Sequence, residues 1–211
     1  KMDIGRAYTY MFDDKDWLKK LAIGGLVMLI PILNFVAMGY AIRALRNARD
    51  GQDLPLPEWD DWGGDFVKGL LITIATIIYE LPAIVAFLVG VAAASVFEEQ
   101  ACMWGAYCPG ILWSILVAFI TPALFLQYAK YDSFGSLFRF GEIWRIITAK
   151  FSDYLVAALM TLVAFIVASV IGSVACGIGV AWTSFWAYLV QSHLMAQLQP
   201  GTPAIETGAG I

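Results

Sequence analysis

From Phe66 to Phe97 the chain runs for 32 residues with two charged side chains, Lys68 at the start and Glu80 near the middle. About 20 apolar residues, at ~1.5 Å of helix rise each, already cross a hydrocarbon core of ~30 Å. A stretch of this kind cannot be the core helix of a small soluble domain. It must lie in a bilayer and tilt, kink at Pro82, or begin in the interface. Further on, Asp153 to Leu198 holds 46 residues without Lys or Arg. One helix of that length would run ~70 Å, so two helices with a turn at Gly172–Gly179 are expected. Two more apolar runs complete the set, Leu21–Leu45 and Pro109–Tyr131.

The rest of the composition agrees. The chain is 60% hydrophobic and 14% charged, where a soluble domain has about 25% charged residues. The expected fold is all-α: a polytopic membrane protein with four or five transmembrane helices and interfacial amphipathic helices. Residues 1–198 form one integral membrane domain, and the Pro- and Gly-rich stretch 199–211 is a disordered tail. A net charge of −4 gives no footing for nucleic acid. The acidic, polar N-terminus does not read as a signal peptide.

The apolar runs are separated by polar segments of distinct character. Residues 43–68 hold ten of the thirty charged side chains, with Trp59 and Trp62. Arg43, Arg46, Arg49 and Lys68 fall here, and Lys130, Arg139, Arg145 and Lys150 fall between the third run and the last pair. Glu98–Cys108 carries no positive charge. By the bias of Lys and Arg toward the cytoplasm, loops 43–68 and 130–152 are cytoplasmic and loop 98–108 is extracytoplasmic. That loop carries Cys102 and Cys108, for which a disulfide and two free thiols are both open. Residues 2–17 show apolar positions three and four apart, an amphipathic helix lying in the interface. Residues 132–152 suggest another.

The first run resists this scheme. Lys15, Lys19 and Lys20 precede it and three arginines follow it, so both ends look cytoplasmic. Either it crosses, or it breaks at Pro31 and Asn34 into a re-entrant hairpin that other helices must cover. Pro31-Ile-Leu33-Asn-Phe35 and Tyr40-Ala41 are echoed by Pro122-Ala-Leu124-Phe125 and Tyr128-Ala129. That is a weak parallel repeat, and it favours a crossing, five in all.

Few residues carry chemistry. Glu80 in mid-membrane is expensive unless it faces the bundle interior or a wet cavity; with Thr73 and Thr76 it makes a polar stripe. Pro82, two residues on, frees a backbone carbonyl that Glu80 could also serve. His193 is the one histidine, with no second ligand in view. Glu58, Asp60, Asp61 and Asp65 do not have calcium-loop spacing; the plainer reading is a short interfacial helix begun by Pro57, with Trp59 and Trp62 as anchors. No metal and no cofactor are predicted. Ala86, Gly90 and Ala94, and Ala164, Ala168 and Gly172, are small residues four apart, suited to helix packing; Gly24, Gly25 and Gly39 also permit close approach.

Phe12-Asp13 with Trp17 and Lys20, then Gly24-Gly25, Ile30-Pro31, Gly39-Tyr40, Gly51, and Leu56-Pro57-Glu58-Trp59-Asp60-Asp61-Trp62-Gly63 through Gly69, resemble the prokaryotic integral-membrane family catalogued as domain of unknown function four thousand and thirteen. The resemblance implies a multi-pass helical protein of a bacterial or archaeal cell (inner) membrane and supplies no activity. With no catalytic constellation visible, the expected role is non-enzymatic: an accessory or scaffolding subunit contacting the lipid bilayer and other membrane proteins. The alternative is a small transporter or channel using Glu80.

Overall fold

A backbone inside hydrocarbon must satisfy its own polar groups, and helix does so within one segment. The computed structural model describes residues 2–97, 100–174 and 177–199; its regular structure is all helix, with no strand among the described residues. The α-helices are α1 Ile4–Thr9, α2 Trp17–Leu29, α3 Asn34–Arg49, α4 Trp62–Phe97, α5 Gln100–Tyr131, α6 Phe140–Ala149, α7 Phe151–Val174 and α8 Gly179–Ala196, with 3-10 turns at Tyr10–Asp13 and Phe134–Phe138. Among the described residues three stretches are long and apolar enough to cross a membrane: Trp62–Val96, Trp104–Tyr131 and Phe151–Val174.

The first apolar run is not one of them. It is cut at residues 30–33 into α2, of 13 residues, and α3, of 16. The two legs start and finish at the same end of the molecule. Lys20, in the first turns of α2, donates from Nζ to the Leu56 carbonyl at 3.1 Å, and the Trp59 indole N–H donates to the Lys20 carbonyl at 3.1 Å; both partners lie just beyond the end of α3. The run is therefore a helical hairpin, in place of the single continuous helix that a fifth crossing would need. The repeat argument fails here for a physical reason. Pro31 is followed by turns bonded Asn34 N–H to Ile30 carbonyl and Val36 N–H to Leu33 carbonyl, so the backbone finds partners in a reversal. Pro122 sits inside an unbroken α5.

Glycines let the hairpin lie close to its cover. A side chain on Gly39 would run into the Asp65 carbonyl, and one on Gly69 into the Phe35 carbonyl, so α3 and α4 touch backbone to backbone in antiparallel register. On the other leg, Gly24 and Gly25 receive the rings of Phe185 and Trp182 from α8. α7 and α8 pair through the small-residue face. Ala164, Ala168 and Gly172 are buried, the Thr183 hydroxyl donates to the Ala168 carbonyl at 2.7 Å, and Gly172 abuts Val180. The turn between them carries Gly177 at φ +80, a conformation glycine adopts without strain. We expect Gly172→Leu to part α7 from α8 and to collapse the monodisperse peak on size exclusion, while Gly141→Ala, which faces open space, leaves it unchanged.

Other expectations change too. Residues 2–17 do not form one interfacial helix: α1 ends at Thr9, and Tyr10 and Met11 are buried against the protein, with the Tyr10 hydroxyl donating to the Leu189 carbonyl at 3.2 Å. The 98–108 connector is largely absent, because α5 is helical from Gln100 and carries Pro109 within it. Cys102 and Cys108 are thus six residues, ~9 Å of rise, apart on one helix, beyond the reach of a disulfide. Cys108 is exposed and free; the Cys102 side chain, Cys176 and the tail 200–211 lie outside the described residues. Residues 57–61 are not helical. α6 is amphipathic, burying Ile143, Ile146 and Ile147 and exposing Trp144 and Phe140.

Candidate functional site

The polar segment after α3 folds back as a clasp. The Arg43 guanidinium grips both oxygens of Asp65, each at 2.7 Å, and donates to Asp60 at 2.9 Å and to the Glu58 carbonyl at 2.8 Å. Asp65 is fully buried. Glu58 meets Lys20 at 2.7 Å, Lys20 also meets the buried Asp14 at 2.8 Å, and Asp61 meets Lys68 at 3.2 Å. Each carboxylate of the cluster Glu58, Asp60, Asp61 and Asp65 is thus matched by a cation of the chain, and among the described residues no group of acidic, Cys or His side chains could hold a metal. Hydrogen bonding to Arg43 holds Asp60 below the usual carboxylate range. Burial opposes the charge on Lys20, but its bonds to Asp14 and Glu58 outweigh that and raise it. Trp59 is no membrane anchor. It stacks on Tyr40 at 4.2 Å, and the Tyr40 hydroxyl donates to the Pro57 carbonyl at 2.6 Å. Trp62 is exposed.

The clasp fixes how deep the hairpin reaches. Its tip stops beside the Gly69–Thr73 stretch of α4, a helix of 36 residues and ~54 Å. Beyond the tip no described residue fills the space between α4, α5 and α8. A cleft of about 710 Å³ results. Thr73, Thr76 and Glu80, the stripe read from the sequence, all line it, as do Asn34 and Phe35 from the hairpin, Ser114 and Thr121 from α5, and Tyr188 from α8. Ser114 donates its hydroxyl to Glu80 at 2.8 Å, and the buried Asn34 Oδ1 has no partner among the described residues. Glu80 is the one charged residue in this lining.

Sequence reasoning missed Ser114 and Thr121. Their signal was polarity within an apolar run; nothing local ties them to Glu80, 34 residues away in the case of Ser114. Other candidates fall elsewhere. His193 stacks on Tyr10 at 4.4 Å and lies 3.0 Å from the Gln197 amide, a packed side chain at the end of α8. Gly90 is buried on α4, with Ala86 and Ala94 half-buried on the same face, and Gly110 of α5 comes into contact with Ala83 and Ala86.

A family model described as "Protein of unknown function (DUF4013)" matches residues 23–177. The chain belongs to this family. The DUF4013 match takes in most of the hairpin, the clasp apart from Asp14 and Lys20, helices α4 and α5, and α7, and it ends just before α8. No curated protein and no solved structure matches the chain. With its apolar helices, this DUF4013 member is an integral membrane protein in contact with the lipid bilayer.

Proposed function

We propose that this protein is a non-enzymatic transporter-type membrane protein that takes a small cargo into the cleft around Glu80. One observation carries this. A carboxylate and several hydroxyls converge from three helices, beside the tip of the hairpin, on one cavity. Intramembrane ionisable groups mark ion and substrate paths, and broken helices at mid-membrane commonly border such sites. The clasp, the α5–α6 segment and the start of α2 share one end of the molecule and carry its Lys and Arg clusters, as Arg46 donating to the Ala129 carbonyl illustrates. With the hairpin re-entrant, the conflict over the first run disappears, and we orient that end toward the cytoplasm of a prokaryotic inner membrane.

The test uses a chain whose native cysteines are replaced. Thr76→Cys, in the cleft, is expected to react with a small water-soluble methanethiosulfonate, and Ile78→Cys, exposed on the opposite face, is expected not to. Equal inertness would make the cleft dry and remove the transport reading. Glu80→Gln is expected to abolish cargo movement in reconstituted vesicles and to leave the size-exclusion profile intact.

A second reading, an accessory subunit, has its own support. α4 and α5 run ~54 and ~48 Å, against ~36 and ~27 Å for α7 and α8. The far part of the α4–α5 pair presents exposed Leu88, Val89, Val91, Val96 and Trp104, a surface another membrane subunit could cover. Gentle solubilisation of native membranes followed by mass spectrometry checks it: co-migration at constant stoichiometry supports a subunit, migration alone opposes it.

A further inference from the structure

The serine and threonine hydrogens of the cleft point away from whatever would occupy it. Thr73 donates to the Gly69 carbonyl at 2.9 Å, Thr76 to the Ile72 carbonyl at 2.9 Å and Thr121 to the Val117 carbonyl at 2.8 Å, each four residues back along its own helix. Ser114 spends its hydrogen on Glu80. What these four hydroxyls offer an occupant is lone pairs. The Glu80 carboxylate has a second oxygen that Ser114 does not engage. Against these stand two donors among the lining side chains, the Asn34 amide NH2 and the Tyr188 hydroxyl. The walls between the polar groups are apolar and aromatic, Phe35, Phe87 and Phe125 among them. Lysines and arginines are absent from the lining.

Resting on the cleft-binding reading above, we infer that the occupant is an organic cation: a protonated amine carried on an apolar body. Its N–H groups meet an excess of acceptors, its charge meets the one carboxylate, and its positive head can lie over an aromatic face. A volume of about 710 Å³ is within the range of ~300–1,000 Å³ that holds small organic molecules. A bare divalent ion fits less well, since calcium takes about six to eight oxygens and the walls here are largely hydrocarbon. An anion would face repulsion from Glu80 and find few donors.

The experiment uses the full chain in phosphatidylcholine nanodiscs, with empty discs subtracted, and calorimetric titration of three compounds of similar size. They are N-methyl-4-phenylbutylamine, its neutral N-acetyl derivative, and 5-phenylpentanoate. The amine is expected to bind saturably, at least tenfold more tightly than either of the others. Glu80→Gln should weaken it at least tenfold, and Thr76→Trp, which fills the cleft, should abolish it; both variants are first checked for a monodisperse profile. Ser114→Ala, which removes the bond to Glu80 without touching the charge, should weaken it less than Glu80→Gln does. If the neutral or anionic compound binds as tightly and Thr76→Trp still abolishes binding, the cleft reading stands and the cation inference falls. If no compound binds above empty discs, the cation inference falls, and reaction at Thr76→Cys decides the cleft reading separately.

Discussion

Arg43→Ala is expected to be the most damaging single truncation of a polar side chain in this protein. It leaves the Asp65 carboxylate fully buried with its two 2.7 Å hydrogen bonds gone. Lys68 approaches that carboxylate at 4.0 Å, too far to replace a bidentate guanidinium. Breaking one side of a buried pair costs ~3–5 kcal/mol, because the remaining charge is stranded. In a chain of this size that corresponds to roughly 6–20 °C of Tm, readable from tryptophan fluorescence on heating in detergent. Replacing both partners, Arg43→Leu with Asp65→Leu, removes the stranded charge and should recover much of the loss. An unchanged Tm for Arg43→Ala would mean that the clasp does not hold the hairpin.

Gly39→Leu should prevent the hairpin from docking at all. Its side chain would have to occupy the place of the Asp65 backbone carbonyl. Backbone cannot swing aside as a flexible side chain can, so α3 must move away from α4. That would uncover the hairpin's interrupted backbone at residues 30–33, which is tolerated at membrane depth only when protein covers it. We expect no monodisperse protein from Gly39→Leu or from Gly69→Leu, and near-normal behaviour from Gly63→Ala, where a Cβ meets nothing. Well-behaved Gly39→Leu protein would contradict the backbone contact between α3 and α4.

What the sequence made legible followed from terms that act locally. Hydropathy and length gave helical membrane segments, and Gly177 and Gly179 marked the α7–α8 turn, while Gly172 lies inside α7. Thr73, Thr76 and Glu80 could be assigned to one face because helix spacing is fixed. The hairpin was harder. Pro31 and Pro122 stand in similar local sequence, yet one reverses the chain and the other does not. The difference is set at a distance: Lys20 must reach Leu56 and Glu58, and Gly39 must reach Asp65. The clue in the sequence was that positive residues flank the first run on both sides. Likewise Trp59 looked like an interfacial anchor because nothing nearby revealed that Tyr40 would stack on it. Asn34 and Ser114 could not be joined to Glu80 without knowing how far the hairpin penetrates.

The measurement that tests the account most directly asks whether the first run turns back. In a cysteine-free background, Lys15→Cys and Gln52→Cys are introduced singly and treated with a membrane-impermeant maleimide, first on sealed right-side-out vesicles and then on inverted ones. Lys15 and Gln52 lie on either side of the hairpin, and both are exposed. Both positions are predicted to label only in inverted vesicles. Labelling from opposite sides would mean that residues 21–45 cross the membrane, and the hairpin, its clasp and the cleft beyond its tip would all have to be abandoned.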